Sequence, residues 1–327
     1  MGISFMHGKD VFPEIAGELE EVENEIFRIL ESDDPLVEEI TTHLLRAGGK
    51  RLRPALVVLS SYFGQADHQK MIALAAAVEI VHMATLVHDD VIDEAATRRG
   101  WPTVNHRFGE REAILAGDYL FARAFSTVAR LGNQQVIDIL SQVVYGMSAG
   151  EIRQIADAFN LAQTESDYLL RIYRKTALFI AECCELGGVI AGAPESTCQV
   201  LRNFGYGLGM GFQGIDDILD LNGSTDTLGK PVWNDLKEGV LTLPVLRLLQ
   251  DKQAAPAVRR MIEARDWQSD ELEKLKDLMT RTGAIQYAYD VARRFIETAR
   301  QELMKLPDIW ARAALDRAAD FVLARTF

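Results

Sequence analysis

The chain has 327 residues, of which 48% are hydrophobic, 25% charged and 8% aromatic, and its formal net charge is −13 at pH 7. This is the composition of a folded globular protein, which argues against disorder. Its acidity makes it a poor binder of nucleic acid or of an anionic membrane surface.

The three cysteines, Cys183, Cys184 and Cys198, are odd in number and two are adjacent. They fit neither a disulfide framework nor zinc spacing, and read as reduced buried thiols in a cytoplasmic protein. Met1 to Phe12 lacks the apolar core of a signal peptide. The longest apolar stretch, Met71 to Val87, is interrupted by Glu79 and His82, so no transmembrane segment is expected.

In chain order the pattern is helical almost throughout. Leu19, Val22, Ile26, Ile29 and Leu30 recur at helical spacing within Glu18 to Leu30. Gly48-Gly49 stops one helix, Gly64 to Asp67 forms a turn, and Gly100-Trp101-Pro102 reads as a helix end. Long helices are expected over Ala113–Leu131, Val136–Ile155 and Tyr168–Ala191, the last closed by Gly192-Ala193-Pro194. Asn222 to Asn234 is the longest polar loop, and Tyr287–Leu306 and Ala311–Ala324 close the chain as helices. The expected fold class is all-α, a single-domain bundle of long helices around a central cavity spanning residues 1–327.

Two segments have the form D-D-x-x-D: Asp89, Asp90, Asp93 and Asp216, Asp217, Asp220, each after an apolar helical run. On a helix, residues at i, i+1 and i+4 put their carboxylates near one edge, those at i and i+4 roughly 5–6 Å apart. Carboxylates crowded there repel and lose solvation, so a cation must offset them. Mg2+ suits the set, because it prefers hard oxygens and is usually shared between one or two carboxylates and phosphate oxygens. One such cluster is as easily a solvated helix end, but two on apolar helices point to one diphosphate held between facing helices.

Basic groups flank these motifs. Lys50, Arg51 and Arg53 follow the Gly48-Gly49 break, Arg98 and Arg99 follow the first motif, and Lys230 lies in the loop after the second. Each alone is most simply a surface charge. Lys175, next to Thr176 and followed by Ala177, Leu178, Phe179 and Ile180, reads as a buried lysine that needs a partner. Together they exceed what one diphosphate requires, and two sites would use them. Gly209, Gly211 and Gly214 match G-x-G-x-x-G, but no strand precedes them, so they read as close helix packing below Asp216, with Gln213 one turn before that residue. His82 lies two turns before Asp89 on the same face, whereas His88 points elsewhere.

From Gly48 onward these features resemble the trans-polyprenyl diphosphate synthases of the isoprenoid synthase superfamily. The ordered matches are Gly48 to Pro54, the first motif with Arg98-Arg99-Gly100, Gly117 to Leu120, Gly150 to Gln154, Lys175-Thr176, Phe212-Gln213 with the second motif, Gly229-Lys230-Pro231, Asp235-Leu236 and Thr242-Leu243-Pro244. His82 to Asp93 and Gly117 to Arg123 look most like the large component of bacterial heptaprenyl diphosphate synthase, which makes menaquinone side chains with a small partner lacking the motifs.

The resemblance implies a Mg2+-dependent condensation of isopentenyl diphosphate with an allylic diphosphate (farnesyl or geranylgeranyl), using about three ions once diphosphate is bound. It implies that Asp89, Asp90, Asp93, Asp216, Asp217 and Asp220 hold metal, with the last Asp of the second motif acting indirectly. Arg98, Lys175, Thr176, Gln213 and Lys230 would hold the allylic diphosphate; Lys50, Arg53, His82 and Arg99 would hold isopentenyl diphosphate. Ala84 and Thr85, one turn deeper than Asp89, are small and would let a long tail pass, with Phe121 and Phe125 as candidate floor residues, although plain core packing is the commoner role for each. Val240 stands where many relatives carry Lys. A homodimer, or a heterodimer with a small non-catalytic subunit, is implied. Geranylgeranyl, farnesyl and octaprenyl synthases are the alternatives. A terpene cyclase would replace the second motif, and a non-catalytic subunit has no use for either.

Overall fold

The computed structural model describes residues 11–46, 48–98, 100–222, 233–265 and 267–324. Arg99, Lys230 and most of the Asn222–Asn234 loop lie outside them. The chain forms two compact units. One comprises Met1–Ser141, Glu182–Arg202 and Leu306–Arg317; the other comprises Gln142–Ala181, Asn203–Lys305 and Ala318–Phe327.

The first unit opens with a 3-10 turn, Pro13–Ile15, that leads into α1 (Ala16–Leu30). The periodic residues Leu19, Val22, Ile26, Ile29 and Leu30 are all buried, as their spacing requires. Next come α2 (Pro35–Arg46) and α3 (Leu52–Ser61). The longest element of this unit is α4 (His68–Ile92), whose start is capped by the Asp67 side chain accepting from Lys70 N–H at 3.1 Å. Most of its Leu, Ala, Val and Ile residues are buried, on several faces, against α1, α3 and α6 (Glu110–Arg130). Between them lies the short α5 (Val104–Phe108).

By length and composition α4 could cross a membrane, but 72% of its most apolar window is buried within the fold. It is the core helix. Glu79, which interrupts the apolar stretch Met71 to Val87, is buried within the helix and ion-paired to Arg51. Gly100-Trp101-Pro102 is more than a helix end: Thr97–Arg98 pairs antiparallel with Trp101–Pro102, with Arg98 opposite Trp101.

Beyond α6 the chain continues through α7 (Gln134–Ala156) and α8 (Glu165–Ile172). A capping box starts α8: Thr164 accepts from Asp167 N–H while Asp167 accepts from Thr164 N–H. The expected single helix Tyr168–Ala191 is interrupted by a π-helical segment, Tyr173–Ala177, before α9 (Leu178–Ile190). Then come α10 (Glu195–Asn222), the single turn α11 (Asn234–Lys237), α12 (Leu243–Gln250), α13 (Ala255–Ala264), α14 (Ser269–Arg281), α15 (Ala284–Leu303) and α16 (Trp310–Leu323). In the second unit α12 packs on α13 and α15, and α14 on α15. These contacts bury an apolar cluster running from Tyr168 to Val291.

The glycines of the G-x-G-x-x-G stretch serve helix packing. A Cβ at Gly209 would lie 2.5 Å from the Ala177 Cα, and one at Gly211 would lie 2.4 Å from Ile296 Cδ1. Cys183, Cys184 and Cys198 are all free and buried.

Candidate active site

The first aspartate motif ends α4. Asp89 is half-buried, Asp90 is buried at 6% exposure, and Asp93 is the exposed C-cap, its N–H bonded to Asp89 O at 2.8 Å. Successive helical residues are turned by about 100°, so the i and i+4 pair shares a face while the middle residue turns inward. The expectation of three carboxylates along one edge is therefore corrected: Asp90 faces the protein, where Arg98 Nε meets its Oδ1 at 2.7 Å. The short antiparallel ladder delivers Arg98 to that position.

His88 points away from the motif, as expected. Its Nε2 lies 3.0 Å from Ile114 O and its ring stacks at a tilt on half-buried Phe121. A Cβ on Gly117 would fall 2.1 Å from that Nε2, so this glycine lets α6 close onto α4 just behind the motif. Ala84 is fully buried; Thr85, like Phe125, is half-buried and donates to His82 O at 2.8 Å.

The basic loop before α3 separates its three cations. Arg51, held at φ 50°, turns inward: its Nη1 lies 2.8 Å from Glu79 Oε1 and its Nε 3.6 Å from Glu23. Burial works against the Arg51 charge, but the two glutamates outweigh it and raise the pKa. Arg53, half-buried on α3, has its pKa lowered by desolvation, against which Glu79 acts. Lys50 and His82 are half-buried in the same unit.

The second motif ends α10 and repeats the arrangement. Asp216 and Asp220 are half-buried, and Asp217 is buried at 4% exposure. Tyr168 OH donates to Asp217 Oδ2 at 2.8 Å and Gln213 Nε2 to Oδ1 at 2.7 Å. Thr176 Oγ1 in turn donates to Gln213 Oε1 at 2.6 Å. Burial, then the charge of Asp235, push the Asp217 carboxyl well up; Gln213, Arg171 and Tyr168 oppose this. Asp220 accepts from Asn234 N–H at 3.3 Å and its carbonyl from Trp233 N–H at 2.9 Å, which fastens the far end of the following loop.

Lys175 is not the buried lysine expected from its neighbours. Its side chain is 43% exposed, with Nζ 3.4 Å from Gln154 Oε1 and 3.8 Å from Glu151 Oε2. The cause is the π-helical turn, which adds a residue to the helical repeat: Thr176 and Ala177 turn inward while Lys175 stays outward. Tyr168 escaped the sequence reading, and Arg51 stood there as one of three basic residues with no sign of its Glu79 partner. A tyrosine in an apolar helical run signals a hydroxyl that needs a partner, which was the available clue for Tyr168.

The residues present fit Mg2+. Both motifs put carboxylates at helix C-termini, where the helix dipole is also negative, so a cation is favoured there. Among the described residues no three acidic, histidine or cysteine side chains form a ready-made metal cage. Mg2+ asks for none, since phosphate oxygens and water complete its shell.

The polyprenyl synthetase family model matches residues 34–279. Component 2 of heptaprenyl diphosphate synthase from Geobacillus stearothermophilus is 41% identical over 98% of this chain and 99% of its own. A decaprenyl diphosphate synthase structure from Rhodobacter capsulatus is similar at TM-score 0.91 and 39% identity, covering 98% of this chain and 99% of that one. A polyprenyl synthase from Caulobacter crescentus, complexed with calcium and isoprenyl diphosphate, reaches TM-score 0.91 at 32% identity over 100% of both chains. A family model that spans most of the chain, identity held along its whole length and two D-D-x-x-D motifs ending long helices lead to one assignment: the chain belongs to the polyprenyl synthetase family, prenyltransferases of isoprenoid biosynthesis with the all-α isoprenoid synthase fold.

Proposed function

We propose that the chain, acting as one catalytic domain over its whole length, extends an allylic diphosphate with isopentenyl diphosphate to a long polyprenyl diphosphate, of heptaprenyl length, for a quinone side chain. The observation that carries this is the paired motif: two aspartate clusters at helix C-termini, each with its middle carboxylate buried on a protein donor and its outer pair less buried. The length follows the heptaprenyl synthase component to which the chain is similar. Fully buried Ala84 and half-buried Thr85, one turn below Asp89, offer a growing tail no bulky obstacle.

Asp89, Asp93 and Asp216 present the carboxylates best exposed to Mg2+, with Asp90, Asp217 and Asp220 behind them. Bound there, Mg2+ supplies positive charge to the departing diphosphate. Arg98, Lys175, Thr176, Gln213 and Lys230 hold the same diphosphate. Lys50, Arg53, His82 and Arg99 hold isopentenyl diphosphate. The allylic C–O bond breaks and its electron pair leaves with diphosphate. The isopentenyl double bond then bonds to the allylic carbon, and a proton is lost to the released diphosphate. Positioned cations act on charge that grows only as that bond breaks, which is what lowers the barrier. No nucleophilic side chain is required.

A dimer accords with the apolar residues α7 leaves exposed in the second unit: Tyr145 at 70%, Ile152 at 70% and Ile155 at 58%. The partner is a second copy, or the small subunit that the name "component 2" of the Geobacillus relative suggests. A cytoplasmic location is part of the same reading and accords with three free thiols.

The test is to incubate purified protein with Mg2+, farnesyl diphosphate and labelled isopentenyl diphosphate and to size the products. Heptaprenyl diphosphate, lost on chelation with EDTA, is the expected result. Products no longer than geranylgeranyl, with or without an added small subunit, would overturn the long-chain reading.

A further inference from the structure

Tyr168 has no role so far, yet it is among the largest fully buried side chains of the protein, and its one polar atom reaches the second motif from α8, 49 positions earlier in the chain. A carboxylate can only accept, so the phenol must donate to Asp217 Oδ2 and the Gln213 amide must turn its NH2 toward Oδ1. The amide oxygen then faces Thr176, which spends its own proton on it at 2.6 Å. The donor direction along Thr176–Gln213–Asp217–Tyr168 is therefore fixed at every link. Arg171 lies with its guanidinium carbon 5.4 Å from the Tyr168 ring centroid and is itself anchored on Leu241 O at 2.7 Å and Gln163 Oε1 at 2.9 Å. A cation over the ring face draws electron density from the phenol and strengthens it as a donor.

A carboxylate has about four lone-pair positions. Two on Asp217 are used by neutral donors on opposite oxygens, which restrains rotation of the group and leaves one position on each oxygen not taken by these donors. We propose that Tyr168 is a positioning residue: its hydroxyl sets the orientation in which Asp217 meets Mg2+ and the diphosphate it carries. This rests on the reading of the second motif as a metal–diphosphate site. Partners that orient a metal-binding group typically change metal affinity by about 10- to 100-fold when removed.

The experiment is Mg2+ titration of the binding of farnesyl thiodiphosphate, an unreactive analogue, followed by calorimetry on the full-length protein, its Y168F variant and its D217N variant. Phenylalanine keeps the ring and its packing and removes only the donor. In Y168F the Mg2+ midpoint rises by about 10- to 100-fold, while the melting temperature without Mg2+ moves far less than in a variant that loses the ring. In the Y168F/D217N double variant, Y168F adds no further change. A midpoint raised in D217N but unmoved in Y168F overturns the positioning role and leaves the metal site standing. A midpoint unmoved in D217N overturns the reading of the motif, and this inference with it. A lower melting temperature in Y168F with an unchanged midpoint reduces Tyr168 to a satisfied core tyrosine.

Discussion

Glu185→Gln should stabilise the protein at alkaline pH and leave it nearly unchanged under mildly acid conditions. Glu182 and Glu185 lie one turn apart on α9 and share a single cation: Arg202 places Nε and Nη2 at 3.0 and 2.9 Å from Glu182 Oε1 and Nε at 3.1 Å from Glu185 Oε2. The glutamate side chains are only 6% and 18% exposed. Two carboxylates on one guanidinium leave a negative charge uncompensated in a poorly solvated place. Burial first, then the hydrogen bond and charge of Glu182, push the Glu185 carboxyl from 4.5 up to about 7, against the pull of Arg202.

The sign follows directly. A group whose folded pKa is raised contributes stability that is fully present below its unfolded value and is lost as pH rises through the folded one. Glu185 therefore costs stability progressively between about 4.5 and about 7. That distance, at about 1.4 kcal/mol per pH unit, sets a ceiling of about 3 kcal/mol. Arg202 is 36% exposed and solvent reduces the effect, so about 1–2 kcal/mol is the working value. Glutamine mimics the protonated acid. Thermal melting at pH 5 and pH 8 should show variant and parent together at pH 5, with the variant higher by a few degrees at pH 8. Equal differences at both pH values, or a less stable variant at pH 8, would refute the reasoning.

Arg51→Ala leaves Glu79, 4% exposed, without its 2.8 Å partner and should cost about 3–5 kcal/mol in chemical unfolding; a loss under about 1 kcal/mol would show that Arg53 takes over the ion pair. Lys175→Ala removes a 43% exposed side chain, so melting should move by no more than about 0.5 kcal/mol in stability while prenyl transfer falls by at least about tenfold; unchanged transfer removes Lys175 from the diphosphate site. Ala84→Phe inserts a ring where Ala84 has 0% exposure, which should cost about 1–3 kcal/mol and shorten the product on chromatography; a product of parental length would route the tail elsewhere.

The fold class was legible because it depends on a short-range period. Leu19, Val22, Ile26, Ile29 and Leu30 repeat at helical spacing, and each is at most 3% exposed. The aspartate motifs were legible as motifs for the same reason, with an i, i+4 pair on one edge. What local spacing does not carry is a partner far along the chain. Arg51 looked like one of three equivalent basic residues, and its glutamate is 28 positions away. Asp90 and Asp217 looked equivalent to their neighbours, but each faces inward toward a donor brought by another element. Lys175 was misread because a π-helical turn depends on where backbone hydrogen bonds close, and the names Arg174, Lys175 and Thr176 do not reveal that.

The two motifs meet the same electrostatic difficulty by different means, and this makes them unequal. A carboxylate buried near a helix C-terminus suffers desolvation and the negative end of the dipole together. Asp90 is relieved by a full positive charge, the Arg98 guanidinium at 2.7 Å. Asp217 accepts from the neutral phenol of Tyr168 and the amide of Gln213, with the Arg171 charge helping without an ion pair and the Asp235 charge acting against it. Neutral donors stabilise a charge by less than a cation does. The residue hydrogen-bonded to the middle aspartate is thus an arginine in one motif and a tyrosine in the other, so two identical D-D-x-x-D spellings are held by different chemistry.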